Sequence, residues 1–265
     1  MTIDLNPSAF GVALLPWTTL LTFVGAAGAI TWMMRRASML GLAPRATYGI
    51  ALRTTLWAIF GARLVHVIEN GSYYVEVPFQ AFYLWSGGQS LWGALIFGAG
   101  GALWHAKRRG ATLPAFGDAL TLAGLATLAV GRFGDFLAGE RIGTGTSLPW
   151  AITYANEGSV SFGAGATHPI ALYEALLAVA LVAMLLRFRR RITPGWIIDL
   201  AFVGLAIGRF IIGFATVERA ALGLGPSQWV ALLILIVVGA YMLRRSNRTR
   251  ILVPRSEHHE TGDTR

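Results

Sequence analysis

Seven long apolar segments constrain the fold of this chain more than any other feature. A helix that crosses a bilayer needs about 20 mostly apolar residues. Only 13% of the 265 residues are charged and 55% are hydrophobic, a balance that a soluble core of this size could not accommodate. The sequence therefore predicts an all-α, polytopic integral membrane protein with about seven spans, at 12–34, 48–68, 84–104, 116–137, 169–186, 196–216 and 226–243. The short fifth and irregular third segments also allow six or eight spans.

The basic residues indicate how the chain is oriented. Sixteen of the 22 Lys and Arg residues lie in alternate connections and in the C-terminal tail. Connections rich in Lys and Arg stay on the cytoplasmic side. We therefore predict an outer N-terminus and a cytoplasmic C-terminus, with a single transmembrane domain over residues 1–243. A long outer loop at 138–167 is expected to form a small periplasmic head, and residues 244–265 a disordered basic tail.

Composition excludes several function classes. The net charge of +9 is spread in short clusters between apolar runs, which argues against a nucleic-acid partner. The chain has no Cys, so it has neither disulfides nor a cysteine nucleophile of its own. We expect no metal site and no cofactor.

Three arginines lie in the outer halves of predicted spans, namely Arg63, Arg132 and Arg209. An arginine at mid-bilayer costs about 2.5–3.5 kcal/mol on insertion scales. A guanidinium fork matches the geometry of a phosphate, and the natural anion at this depth is a lipid head group. The three residues therefore predict one shared lipid-phosphate site. The alternative is a purely structural pairing inside the bundle, for instance of Arg132 with Glu174 or Asp135.

Two longer motifs point to one family. Residues 131–143 closely follow the form G-R-x-G-N-F-x-N-G-E-x-x-G, and residues 168–174 (H-P-I-A-L-Y-E) are similar to H-P-S-Q-L-Y-E. Shorter matches begin at Gly61, Gly87 and Gly208, and all occur in the family's order. Together they resemble the prolipoprotein diacylglyceryl transferases of bacteria. The departures that bear on the chemistry are Trp92 in place of a His, Asp135 and Ala138 in place of Asn, Leu205 in place of a Tyr, and Gly213 in place of an acidic residue.

The resemblance implies an activity and a set of site residues. The activity is transfer of diacylglyceryl from phosphatidylglycerol to the lipobox cysteine in a prolipoprotein signal peptide, at the outer leaflet of the bacterial inner membrane. Phosphatidylglycerol, the prolipoprotein and membrane lipids would be the partners. Catalytic roles would fall to Arg132, Arg209, Glu140 and Asp135. The candidate acceptors of the thiol proton are Asp135, Glu140, His66 and His168, of which Glu140 or Asp135 is favoured. Alternatively, an arginine-rich site lowers the pKa of the thiol without a dedicated base. Substrate-binding roles would fall to Arg63, Gly87, Gly88, Gly131, Gly134, Gly143, His168, Tyr173 and Glu174.

Two other hypotheses remain open at this stage. A diverged relative could have lost the transfer of this lipid group or could transfer a different one, as the replacements at 92, 135 and 213 suggest. A membrane transporter is the second, although the chain shows no internal repeat of the kind that many transporters have.

Overall fold

The protein is described from a computed structural model that covers residues 1–11, 16–83, 91–217 and 222–251. Helices dominate this part of the chain. Seven are long and one, α3, is short. In order they are α1 (Trp17–Arg35), α2 (Pro44–Glu69), α3 (Gly71–Glu76), α4 (Leu91–Arg108), α5 (Leu113–Ala138), α6 (Ile170–Phe188), α7 (Ile197–Ile212) and α8 (Pro226–Ile251).

Length and composition confirm a multi-pass membrane protein. Among the described residues, six helices are long and apolar enough to cross a bilayer: Trp17–Arg35, Arg45–Ile68, Leu113–Ala138, Ile170–Phe188, Ile197–Ala215 and Pro226–Ser246. The seventh long helix, α4, coincides with the predicted third span and ends in basic residues. A seventh span and the outer N-terminus stay predictions.

Some helix boundaries differ from those predicted. The first helix begins at Trp17 and not at residue 12, and α4 extends to Arg108. The disordered tail was predicted to begin at residue 244. This is wrong for residues 244–251, because α8 continues to Ile251. Arg245 stabilises this extension: its Nη1 donates to the Gly195 carbonyl (2.8 Å) and to Asp199 (3.0 Å). Residues 252–265 lie outside the described part.

Small residues let the helices pack closely in pairs. The longest contacts are those of α1 along α5 and of α2 along α4. Where α2 crosses α4, a Cβ added at Gly93 would lie 2.1 Å from the Gly61 carbonyl oxygen, so no larger residue fits. Farther along the chain, α5 packs on α6, and α7 packs on α6 and α8. A cavity lies between α1, α2 and α5.

The loop between α5 and α6 folds together with the N-terminus. Strand β1 (Thr2–Ile3) pairs in parallel with strand β2 (Thr153–Tyr154). The Tyr154 hydroxyl donates to the Phe136 carbonyl (2.6 Å) and so ties this head to the end of α5. Burial raises the pKa of Tyr154 to about 12, because the ionised phenolate would lose its hydration there.

Candidate active site

The ends of three helices converge on one group of charges. Arg132 and Asp135 are three residues apart in α5, so they lie on the same face of that helix. Glu174 lies near the N-terminus of α6, and Arg209 lies in the last turn of α7. Since α5, α6 and α7 alternate in direction, the C-terminal end of α5, the N-terminal end of α6 and the C-terminal end of α7 meet on one side.

Glu174 is the centre of this group. Its side chain is only 4% exposed, and one carboxylate oxygen lies 2.9 Å from Nε of Arg132. The other oxygen accepts a hydrogen bond from Nη1 of Arg209. The two arginines predicted to act together therefore share a single carboxylate.

Asp135 and a third arginine complete the group. Nη1 of Arg132 donates to Asp135 Oδ2 at 2.6 Å. Arg141 lies beside both acids, with Nε 3.8 Å from Asp135 Oδ2 and Nη1 3.6 Å from Glu174 Oε1. We call Arg132, Arg141, Arg209, Asp135 and Glu174 the guanidinium cluster. Its three cations and two carboxylates carry a net charge of +1.

Arg141 was not predicted as a site residue, because in the sequence it counts as an ordinary loop charge. Its placement depends on Gly139, which ends α5 in the left-handed conformation (φ +67°) and turns the chain back over the helix. The Glu140 amide then donates to the Asp135 carbonyl (3.1 Å). One sequence signal could have indicated that Arg141 lies at the site. It is a glycine directly after a predicted helix, followed two residues later by an arginine.

A long cavity of about 970 Å³ extends from the guanidinium cluster into the membrane domain. Its polar end is lined by Arg132, Asp135, Glu140 and Arg141. Its other end is lined by buried side chains that include Met33, Ile50 and Phe116. Arg132 and Phe116 are sixteen residues apart in α5, or about 24 Å. A deep, largely apolar cavity with a cationic end suits an amphiphile that has an anionic head group.

Glu140 differs from the two acids of the cluster. It is exposed at the polar end of the cavity and accepts a hydrogen bond from Thr18 Oγ1 of α1 (2.7 Å). In the described ranges, no guanidinium lies within ion-pair distance of it. Asp135, in contrast, is buried between Arg132 and Arg141. Of the two predicted proton acceptors, the geometry favours Glu140.

Arg63 occupies a different setting from the one predicted. Its Nε donates to the Ala81 carbonyl (2.8 Å), Nη2 donates to the Gln80 carbonyl, and its guanidinium lies over the Tyr74 ring. It therefore holds the segment after α3 against α2. None of the described contacts joins Arg63 to the guanidinium cluster, contrary to the prediction of one shared site.

The predicted glycines serve packing. A Cβ at Gly134 would lie 2.8 Å from the Thr18 Cα, and one at Gly131 would lie 2.7 Å from the Thr22 hydroxyl, so both admit helix α1. Gly131 also lines the cavity. A Cβ at Gly143 would lie 2.2 Å from the His168 carbonyl oxygen. Close backbone approach thus accounts for Gly134 and Gly143, whereas Gly131 both admits α1 and borders the cavity, and substrate binding by these glycines stays a prediction. Gly87 and Gly88 lie outside the described residues.

His168 and Tyr173 connect the head to α6. The Tyr173 hydroxyl accepts a hydrogen bond from the Trp150 indole (2.7 Å) and lies 3.1 Å from His168 Nδ1. Since Tyr173 directly precedes Glu174, this network fixes the first turn of α6 beneath the head. Neither side chain is among the described residues that line the cavity, and substrate binding by His168 and Tyr173 stays a prediction.

Comparison with known proteins identifies relatives over most of the chain. The family model described as prolipoprotein diacylglyceryl transferase matches residues 8–244. The phosphatidylglycerol–prolipoprotein diacylglyceryl transferase 1 of Streptomyces coelicolor is 34% identical over 227 residues, which are 81% of this chain and 65% of the relative. The enzymes of that name from Streptomyces griseus (35% identity, 74% of this chain, 63% of the relative) and Paenarthrobacter aurescens (33%, 74%, 69%) are also similar. The chain thus spans slightly under two thirds of the first two relatives.

Proposed function

Because the chain belongs to the prolipoprotein diacylglyceryl transferase family, we propose that it transfers diacylglyceryl from phosphatidylglycerol to the lipobox cysteine of prolipoproteins. This reaction is the first step of bacterial lipoprotein maturation. The observation that carries the proposal is that Arg132, which lines the polar end of the deep apolar cavity, shares the Glu174 carboxylate with Arg209.

We place the protein in the bacterial inner membrane, with the guanidinium cluster at the outer leaflet. Helix α5 begins just after the basic residues 107–109 and ends at the cluster. Basic connections stay in the cytoplasm, so the opposite end of α5 faces the outside. The head lies on that side, where a secreted prolipoprotein would present its cysteine.

Binding of phosphatidylglycerol would use both ends of the cavity. The phosphodiester carries one negative charge, which the net charge of the guanidinium cluster balances. Arg132 and Arg209 act as an electrostatic clamp on the phosphate. The acyl chains would extend along the apolar walls towards Met33, Ile50 and Phe116. The cavity depth of about 24 Å is close to the thickness of one leaflet with its head groups, about 20 Å.

The reaction replaces a C–O bond by a C–S bond. The cysteine thiol, whose usual pKa is about 8.5, gives its proton to Glu140. The thiolate attacks the glycerol carbon that bears the phosphate, and the C–O electron pair leaves with the phosphate oxygen. Glycerol phosphate departs with one more negative charge than the bound phosphodiester had. Guanidiniums placed where this charge develops lower the barrier.

Glu140 supplies the proton acceptor that the sequence pattern leaves open. Trp92 stands where the family's third motif has a histidine, and an indole does not accept a proton. Glu140 reaches the polar end of the cavity and is held by the Thr18 hydroxyl. The Thr18 hydroxyl therefore orients the carboxylate of Glu140, and none of the described contacts is an ion pair with it.

The test is complementation in a bacterial host depleted of its own transferase. We expect the expressed chain to attach diacylglyceryl to a lipobox peptide, detected as a mass increase, and Arg132→Ala to abolish this attachment. Arg53→Gln serves as the control, because Arg53 is exposed and donates to the Gly49 carbonyl of its own helix. Unchanged lipidation in Arg132→Ala would refute the mechanism. If the wild-type chain inserts well but leaves the peptide unmodified, this result would favour the hypothesis that the protein is a diverged relative that transfers a different lipid group.

A further inference from the structure

Arg141 differs from the other two arginines of the guanidinium cluster. Arg132 and Arg209 each donate hydrogen bonds to a carboxylate. The Arg141 nitrogens lie 3.6 and 3.8 Å from the nearest carboxylate oxygens, which is beyond hydrogen-bond distance. Among the described contacts, Arg141 is therefore the arginine of the guanidinium cluster that donates no hydrogen bond to Asp135 or Glu174.

The position of Arg141 makes that fork accessible to a ligand. Its side chain is 34% exposed, and it lines the polar end of the cavity. It also lines a small adjoining pocket together with Arg209 and Glu174. The turn at Gly139 sets its backbone over the end of α5, so its place is fixed by the fold and is not that of a free loop side chain.

The charge balance around Arg141 favours an added anion. Two carboxylates neutralise two of the three cations in the guanidinium cluster, and one positive charge is left over. Burial lowers the pKa of Arg141, and the neighbouring Arg132 and Arg209 lower it further, although Glu174 and Asp135 oppose this. The adjacent Glu140 accepts a hydrogen bond from Thr18. Within the described residues it does not lie at ion-pair distance from Arg141, so it does not neutralise the remaining positive charge.

We infer that Arg141 donates directly to the phosphate of the bound lipid and to the glycerol phosphate that leaves. This inference rests on the proposed function. As the C–O bond breaks, the phosphate passes from one to two negative charges, and the third guanidinium offsets the charge that is added. Arg132 and Arg209 hold Glu174 and contact the phosphate with their remaining donors. Arg141 thus contributes more to the transition state than to binding of the intact lipid.

The first measurement is turnover by the purified full-length protein in phosphatidylglycerol vesicles with a lipobox peptide. We expect Arg141→Gln to lower kcat by about 100-fold, the cost of removing one preorganised donor, with a smaller change in KM. Arg141→Lys keeps the charge but not the fork and is expected to recover part of that loss. Arg53→Gln is the matched control and should turn over like the wild type. Wild-type kcat in a folded Arg141→Gln would overturn the inference.

The second measurement does not depend on turnover. Glycerol phosphate binding to the same variants is followed by calorimetry, and we expect Arg141→Gln to raise its Kd at least tenfold while Arg53→Gln leaves it unchanged. If the wild type binds glycerol phosphate but shows no transfer, and Arg141→Gln loses this binding, the proposed function is refuted and the anion contact is supported. Equal binding by wild type and Arg141→Gln, with transfer intact, would refute the contact and leave the function standing.

Discussion

Nε of Arg132 lies 2.9 Å from a carboxylate oxygen of Glu174, which joins the end of α5 to the start of α6. The pairing combines the two readings that the sequence offered as alternatives. Glu174 compensates the buried cations structurally, and it also holds two guanidiniums side by side, as a phosphate requires. The charge left over by this pairing is what makes the group suitable for an anion.

Replacing Glu174 should disrupt both roles. Glu174→Gln removes the shared negative charge, but Arg132 keeps its partner Asp135 and Arg209 is about one-third exposed, so the cost should fall below the roughly 3–5 kcal/mol of a fully buried pair. We expect a lower unfolding temperature in detergent and a loss of lipidation of more than about 100-fold. Glu157→Gln, at an exposed position in the head, is the control. Normal stability and lipidation in Glu174→Gln would contradict the central place given to this carboxylate.

Glu140 should affect chemistry more than binding. Glu140→Gln keeps the size of the side chain and its acceptor oxygen for Thr18 but cannot take the thiol proton. We expect kcat to fall by about 10²–10⁴-fold, the usual contribution of a general base. Vesicle binding of phosphatidylglycerol should change little. A kcat close to that of the wild type would assign the proton to another acceptor.

Thr18 should act through Glu140, because its hydroxyl donates to that carboxylate (2.7 Å). Thr18→Val removes the donor at nearly constant shape and should lower kcat by roughly tenfold, the equivalent of one hydrogen bond. Thr19→Val, on the exposed side of α1, provides the comparison. In the Glu140→Gln background, Thr18→Val should have no further effect on kcat. An additive loss there would show that Thr18 acts independently.

Gly143 should be intolerant of any side chain. In Gly143→Ala the added Cβ would lie 2.2 Å from the His168 carbonyl oxygen, and the backbone of the head would have to move. We expect a destabilisation of about 1–3 kcal/mol or more, measured by thermal unfolding. Gly145→Ala is the matched control, since its nearest neighbour would be 4.0 Å away. Equal unfolding temperatures for the two variants would contradict the close approach seen here.

The head should lose stability in strong alkali. Tyr154 has a pKa of about 12 in the folded protein, against about 10 in the unfolded chain. The unfolded state therefore releases the proton first, and the stability contributed by the neutral phenol is lost as pH rises from about 10 to 12. Tyr154→Phe should be less stable at neutral pH, because the bond to the Phe136 carbonyl is absent. It should also show a smaller fall over that pH range, followed by near-ultraviolet circular dichroism.

Much of this protein could be predicted from local sequence. Spans depend on runs of apolar residues, so the six helices that meet the length and composition criteria were all predicted. Arg132 and Asp135 are three apart in a helix, which fixes their shared face without any tertiary information. The boundary after residue 243 was placed wrongly because polar residues extend α8 through a contact with Asp199, 46 positions away.

The sequence by itself determined that this chain crosses a membrane by helices and keeps arginines and acids near one side of it. Only the tertiary structure decided which of these charges meet. Glu174 and Arg209 are 35 residues apart, Arg141 reaches the cluster through the turn at Gly139, and Arg63 is held elsewhere by carbonyl groups. Hydropathy is a property of each segment, whereas the meeting of helix ends depends on how backbones turn and pack across the whole bundle.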